Sequence, residues 1–354
     1  MPLRSIFLFF LCFVCFAGHS CAQSGRVKPN EAPSPSPTPK KSVYFPTTTT
    51  DRPRVSPTPT PKKEKEEDEV IKVESSLVPL PVSVLDANGR ALTNLKLSDF
   101  ELKVDGKPAD IAELSRSESP IRLAMLFDNS SSVRVAREFE KDAAIKFFRQ
   151  VVRPEKDLAA LFSVATVTRL EQSLTKDVSS LTNAIELFPP PEGATALLDG
   201  IVQASNYLSE TQGRRVLVIV SDGDDTISDA SFEDAVRAVQ MANIQVYVVK
   251  TTDFENFVRT KSRQGNANIR QLAAERRMGE LSKQTGGSVY SPIDEVELDR
   301  AFRQISAELA QQYVLSYYPD QETEKRGEFR EVSLAVKSKP NLSVRTRKGY
   351  YVPK

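Results

Sequence analysis

Apolar and polar positions follow two different periods along the chain. From 120 to 312, continuous apolar runs at 123–127, 216–220 and 246–249 predict strands covered on both faces, as in a parallel sheet, and 158–164 reads as a further strand. Between them, apolar residues recur at helical spacing. The stretch 135–152 places Phe139, Ala143, Phe147 and Val151 on one side and stops before Pro154. Further helices are expected at 178–187, ended by Pro189-Pro-Pro191, and at 196–208, 231–241, 269–284 and 296–311. Residues 169–174 read as an edge strand and 288–290 as a short one. Segment 251–268 is polar and long for a connection, so it reads either as a surface insertion or as a flexible loop. Strands alternating with helices predict an α/β fold: a doubly wound, mostly parallel sheet flanked by helices.

Outside that span the period is two. Residues 80–85 are apolar and broken by proline, 100–104 alternate, and Asp86-Ala-Asn-Gly-Arg90 and Asp105-Gly106 are turn signals. Toward the other end, 313–318, 331–336 and 342–345 alternate in the same way. Two or three strands do not stand alone in water. The sets at 70–119 and 313–354 are therefore expected to pair into one small β-rich domain, with the 120–312 domain inserted in it.

The first residues change the picture again. Arg4 precedes an apolar stretch at 6–17, and Ser20-Cys21-Ala22 offers small residues for cleavage before Gln23. The stretch is too short for a permanent span, so 1–22 reads as a secretory signal and the chain as exported to the periplasm, cell surface or medium. A lipid on Cys21 is the alternative, although Gly18-His19-Ser20 lacks the aliphatic residue expected before such a cysteine. Residues 23–69 are rich in Pro, Ser, Thr and Lys, which predicts an extended, disordered spacer; a Pro-rich docking ligand is the other reading.

Cleavage after Ala22 removes Cys12, Cys15, Cys21 and His19, which are all the cysteines and the one histidine of the chain, and there is no Trp. Ser-His-Asp and Cys-His catalysis, thiolate metal sites and His-ligated zinc are then excluded. The net charge of +1 and the lack of a basic stripe argue against a nucleic-acid partner.

What remains is oxygen chemistry. Ligands of open parallel sheets bind beyond the carboxyl ends of the strands. The first apolar run leads into Asp128-Asn-Ser130-Ser-Ser132, another into Ser221-Asp222-Gly223-Asp224-Asp225, and Gly193-Ala-Thr195 opens a helix between them. Hydroxyl and carboxylate donors without imidazole or thiolate suit Mg²⁺, Mn²⁺ or Ca²⁺. Alternation in Asp128-x-Ser130-x-Ser132 lets a turning loop aim three side chains inward, and Thr195 and Asp222 can complete the set.

These residues, in this order, resemble the metal-ion-dependent adhesion site of von Willebrand factor A domains, and the resemblance spans about 120 to 312. The flanking motifs Asp99-Phe-Glu-Leu-Lys-Val-Asp-Gly-Lys107, Gln312-Tyr-Val-Leu-Ser-Tyr-Tyr-Pro319 and Arg347-Lys-Gly-Tyr-Tyr351 are similar to those of exported bacterial von Willebrand factor A-related proteins of acidobacterial type. The resemblance implies that Ser130 and Ser132 bind the metal directly, Asp128 and Asp222 largely through water, and Thr195 in the ligand-competent state. It also implies a protein partner whose Asp or Glu fills the open position, and a last helix able to shift with coordination.

Plainer readings stand beside these. Ser and Asp after a strand often cap the next helix. Asp224 and Asp225 read as a solvated loop or as carboxylates tuning the site. The run 222–233 has EF-hand carboxylate spacing but Ile227 where that loop needs Gly. Ser173-Leu-Thr-Lys176 has no Lys-Thr-Gly partner. Tyr317-Tyr318 and Tyr350-Tyr351 read as strand packing. The function expected is a non-enzymatic, exported, metal-dependent binding or adhesion module. The alternative is a cell-envelope scaffold in which the same fold packs constitutively. A metal-assisted hydrolase would need a second acidic cluster that the sequence does not show.

Overall fold

The computed structural model describes residues 77–116, 119–262, 268–319, 325–337 and 341–352. The expected signal peptide 1–22, with Cys21, and the spacer 23–69 lie outside the described residues.

Four strands come first: β1 (Val78–Leu85), β2 (Phe100–Val104), β3 (Lys107–Ala109) and β4 (Ile111–Arg116). The α/β portion follows with β5 (Ile121–Asp128), α1 (Arg137–Val151), β6 (Leu158–Val164), β7 (Arg169–Thr175), α2 (Val178–Glu186), α3 (Leu197–Ser209) and β8 (Arg214–Ser221). It continues through α4 (Phe232–Met241), β9 (Ile244–Lys250), α5 (Thr252–Thr260), α6 (Ile269–Thr285), β10 (Ser288–Tyr290) and α7 (Glu295–Gln311). The chain then returns to strands, β11 (Tyr313–Tyr317), β12 (Phe329–Val336), β13 (Ser343–Arg345) and β14 (Gly349–Tyr351).

The central sheet has the order β10-β9-β8-β5-β6-β7, parallel throughout except for the antiparallel edge strand β7. The apolar runs are continuous because each strand feeds two cores. On β5, Met125 and Phe127 pack with Phe147 and Phe302 on one face, while Ala124 and Leu126 pack with Ile201 and Met278 on the other. Burial of both sets removes the alternation that a half-exposed strand would show.

Of the two readings of segment 251–268, the plain loop does not hold for its first part: residues 252–260 form α5, and 263–267 lie outside the described residues. Phe254 stacks on Phe139 of α1, ring centroids 3.8 Å apart and 9° from parallel. Thr252 and Asn256 are buried beside it. At nine residues the helix is shorter than the window over which an apolar period is read, so the sequence did not show it.

The flanking strands form a β-rich domain with two antiparallel sheets, β13-β1-β11-β4 and β14-β12-β2-β3. Each sheet mixes strands from both ends of the chain: Leu80 lies opposite Leu315, and Leu102 opposite Leu334. Leu80, Val82, Leu102, Leu315 and Val332 make its core. Tyr317 and Tyr350 are buried there with their hydroxyls 2.6 Å apart, the packing role expected of them, whereas Tyr318 lies past the end of β11 and is exposed.

Two buried side chains join this domain to the α/β portion where α7 ends. Gln312 Nε2 donates to Ser83 Oγ at 2.9 Å and to Gln245 Oε1 at 3.0 Å, and Arg214 donates to its Oε1. Glu308 on α7 accepts from Tyr290 Oη at 3.0 Å, Arg345 at 2.9 Å and Tyr247 Oη at 3.3 Å. Among the described residues no helix is long and apolar enough to cross a membrane.

Candidate functional site

Three loops meet beyond the carboxyl ends of β5 and β8. Backbone bonds stitch them together before any side chain is considered. Asn129 N donates to Val164 O at 2.7 Å and Ser131 N to Gly193 O at 3.1 Å, while Glu192 N donates back to Asn129 O at 3.0 Å. The loop after β8 closes the circle, with Thr226 N donating to Thr195 O at 2.9 Å. Gly193 takes φ +78°, and a Cβ there would run into the Thr166 hydroxyl, so this turn needs glycine.

Four of the five expected residues, Asp128, Ser130, Ser132 and Asp222, converge, and Thr195 lies on the adjoining loop. Asp128 is the last residue of β5 and is almost fully buried. Its Oδ1 accepts from Ser130 N at 2.9 Å and its Oδ2 from Ser221 Oγ at 2.6 Å. Ser130 Oγ and Ser132 Oγ lie 2.8 Å apart, and the Ser132 hydroxyl also bonds Asp222. Asp222 Oδ1 accepts from Asp224 N at 2.9 Å. Thr195 is buried at the mouth of the middle loop, its backbone held on both sides by Thr226.

Burial and like charge shape the electrostatics. Loss of solvent, then the Asp222 carboxylate, push Asp128 up to about 7. Asp222 is raised as well, chiefly by burial, against the Asp224 amide and the Ser132 hydroxyl, which favour its charge. Two carboxylates forced together without a cationic partner in the loops make a concentrated negative site. Two carboxylates and three hydroxyls are hard oxygen donors that fit a Mg²⁺-type ion. Among the described residues no cluster of three or more His, Cys, Asp or Glu side chains is arranged to hold a metal. The fit therefore rests on mixing hydroxyls with carboxylates.

Asp224 and Asp225 prove to be more than a solvated loop. Asp224 pairs with Arg270 of α6 at 2.5 Å, and its charge adds to that on Asp222. Asp225 Oδ1 accepts from Leu198 N at 3.1 Å and Ser228 Oγ at 2.6 Å, capping the start of α3.

Four neighbours went unnoticed in the sequence. Ser221 clamps Asp128, and its place at the end of an apolar strand was its only signal. Glu140 is fully buried, with both carboxylate oxygens unpartnered among the described residues. It heads the apolar series Ala144, Phe148 on α1, a charged residue at the top of a core stripe. Thr251 faces it from the end of β9. Burial and then the charge on Asp128 hold Glu140 well above the usual carboxylate range. Glu255 of α5 is pushed up to about 8 by burial, then by Asp222 and Asp128.

Residues 123–285 match the family model of the von Willebrand factor type A domain. The chain carries a von Willebrand factor type A domain. Solved structures similar to the chain include a von Willebrand factor type A protein from Catenulispora acidiphila, at 10% identity, 80% of this chain, 76% of that one and a TM-score of 0.45. The PilB minor pilin from Streptococcus sanguinis is similar at 12% identity and a TM-score of 0.42, over 55% of this chain and only 62% of the pilin. An aerotolerance-related membrane protein from Bacteroides fragilis follows at 20% identity, 52% of this chain, 97% of that one and a TM-score of 0.41. No curated protein matches the chain in sequence. The von Willebrand factor type A match ends with α6, so α7 and both β sheets lie outside it.

Proposed function

We propose that this protein is an exported, non-enzymatic binding module whose von Willebrand factor type A domain holds a divalent cation, Mg²⁺ or in its place Mn²⁺ or Ca²⁺, at Asp128, Ser130, Ser132, Thr195 and Asp222. The observation that carries the reading is the buried Asp128 and Asp222 pair, held beside the Ser130 and Ser132 hydroxyls by loops bonded to one another. When bound, the ion supplies a positive centre for a carboxylate of a protein partner. The chain's own residues do the rest. Ser221 and the Ser130 amide fix the Asp128 carboxylate, and Ser130 and Ser132 present their oxygens side by side. Export is read from residues 1–22, and attachment through a spacer from 23–69.

Calorimetry with Mg²⁺ and Mn²⁺ tests this. Saturable binding by the wild type and none by Asp128→Ala are expected, and a wild type that binds neither ion would refute the reading. A second reading, an envelope scaffold, is favoured by the buried seam through Gln312 and Glu308, which ties the domain to its β-rich neighbour. Pull-down from envelope extract with and without chelator separates the two: chelator-sensitive partners support the binding module, chelator-resistant ones the scaffold.

A further inference from the structure

A cavity of about 370 Å³ opens where β8 and β9 begin, at the opposite end of the sheet from the acidic site. With β8 eight residues long, the two ends of the sheet lie roughly 25 Å apart at about 3.3 Å per residue. The wall chemistry is one-sided. Arg214, Arg215 and Arg347 line it together with the amides of Gln240, Asn243 and Gln245, and no Asp or Glu is among the described residues that do so.

The guanidiniums donate to neutral oxygens. Arg347 donates to Asn243 Oδ1 and to Pro79 O at 2.8 Å, both of them walls of the same cavity, and its Nε is buried with no hydrogen-bond partner among the described residues. Arg215 donates to Ala242 O at 2.8 Å and Thr211 O at 2.5 Å. Arg214 donates to Leu309 O at 2.8 Å and to Gln312 Oε1. Among the described residues neither Arg215 nor Arg347 stands in an ion pair. Burial brings Arg214 and Arg347 each down to about 10 and lowers Arg215. Arg215 and Arg347, withdrawn from water without an ion pair among the described residues, are costly, and an anion entering here would offset that cost. The remaining wall is apolar, with Pro81, Val239, Ile244 and Val314.

We propose that this cavity binds a small organic oxyanion, a carboxylate or phosphate ester on an apolar body, in the seam between the α/β and β-rich domains. Guanidinium forks match planar and tetrahedral oxyanions, and the volume falls within the range of small-ligand sites. The walls come from β1, β11 and β14 as well as from α4, β8 and β9, so the bound anion ties the two domains together.

The test is calorimetry on the full chain, without divalent cations, using benzoate, phenyl phosphate and inorganic phosphate as probes. Saturable binding of benzoate or phenyl phosphate, weakened by added NaCl, is expected; the tighter of the two identifies the headgroup. Arg347→Gln should weaken it about ten-fold or more, the loss of one charged hydrogen bond. Val314→Phe, which fills the cavity from its apolar side, should abolish it, and Asp128→Asn should leave it unchanged. Phenylglyoxal modification of the wild type, mapped by mass spectrometry, needs no variant: the probe should protect Arg215 and Arg347. Absence of binding by all three probes, an unaffected Arg347→Gln, or protection confined to other arginines would overturn the proposal. Inorganic phosphate binding as tightly as phenyl phosphate would overturn the apolar component.

Discussion

Ser221 Oγ donates to Asp128 Oδ2 at 2.6 Å, joining the ends of adjacent parallel strands beneath the candidate cation site. A hydrogen bond to a charged group contributes about 1.5–3 kcal/mol. Ser221→Ala is expected to lower unfolding free energy by about that amount in denaturant titration and to weaken Mg²⁺ binding. Mg²⁺ affinity equal to wild type would show that Asp128 needs no such support.

Cation binding should depend on pH. Asp128 moves from an unfolded value near 3.8 to about 7 when buried beside Asp222. A raised acid contributes stability fully present below the lower value and lost as pH climbs through the higher one. With chelator present, the wild type should therefore lose stability relative to Asp128→Asn across that window. Protons compete with the ion for the same carboxylate, so Mg²⁺ should bind more tightly at about pH 8 than at about pH 6, with proton release visible in buffers of different ionisation heat. Affinity independent of pH would contradict this.

Glu308 makes a second pH-dependent contribution. Burial raises it above 4.5, although Arg345 and two tyrosine hydroxyls favour its charge. Its contribution is therefore complete below 4.5 and declines as pH rises through the raised value. Glu308→Gln lacks that decline, so its deficit against wild type should be largest in acid and shrink toward neutral pH. Glu308→Ala leaves buried hydroxyls unpartnered and should cost about 1–3 kcal/mol. Thermal melts across pH check both.

Gly286 ends α6 with φ +78°, and a Cβ there would sit 2.6 Å from the backbone of Thr346 in the β-rich domain. Gly286→Ala is expected to cost about 1–3 kcal/mol from backbone strain, plus the clash. A melting temperature equal to wild type would mean that the seam yields easily.

Much of this was legible in the sequence because it rests on period and punctuation. The apolar runs became β5, β6, β8 and β9, and Ser231 caps α4 through a reciprocal pair with Asp234, as a capping box does. The flanking alternations became the two mixed sheets. The site residues were legible because oxygen donors stood at strand ends. Helix α5 was not, since its nine residues are too few for a period to stand out within a polar segment. Glu140 was missed because a carboxylate inside an apolar stripe is chosen by tertiary surroundings that no local pattern records. The cavity arginines were invisible for a related reason: Arg214 and Arg215 stand far in sequence from Arg347.

The mixing of terminal strands has a consequence for how the molecule is made. Ser83 meets Gln312 across 229 positions; β1 pairs with β11 and β13, and β2, joined to β3 on one side, finds its other neighbour in β12. A chain made in N-to-C order therefore carries β1, and one side of β2, as open edges until β11, β12 and β13 have appeared. The von Willebrand factor type A domain lies wholly between those edges and can assemble first, leaving closure of the β-rich domain as the last and slowest event. Maturation of the β-rich domain is thus gated by β11, β12 and β13, whose arrival turns open strand edges into a finished fold.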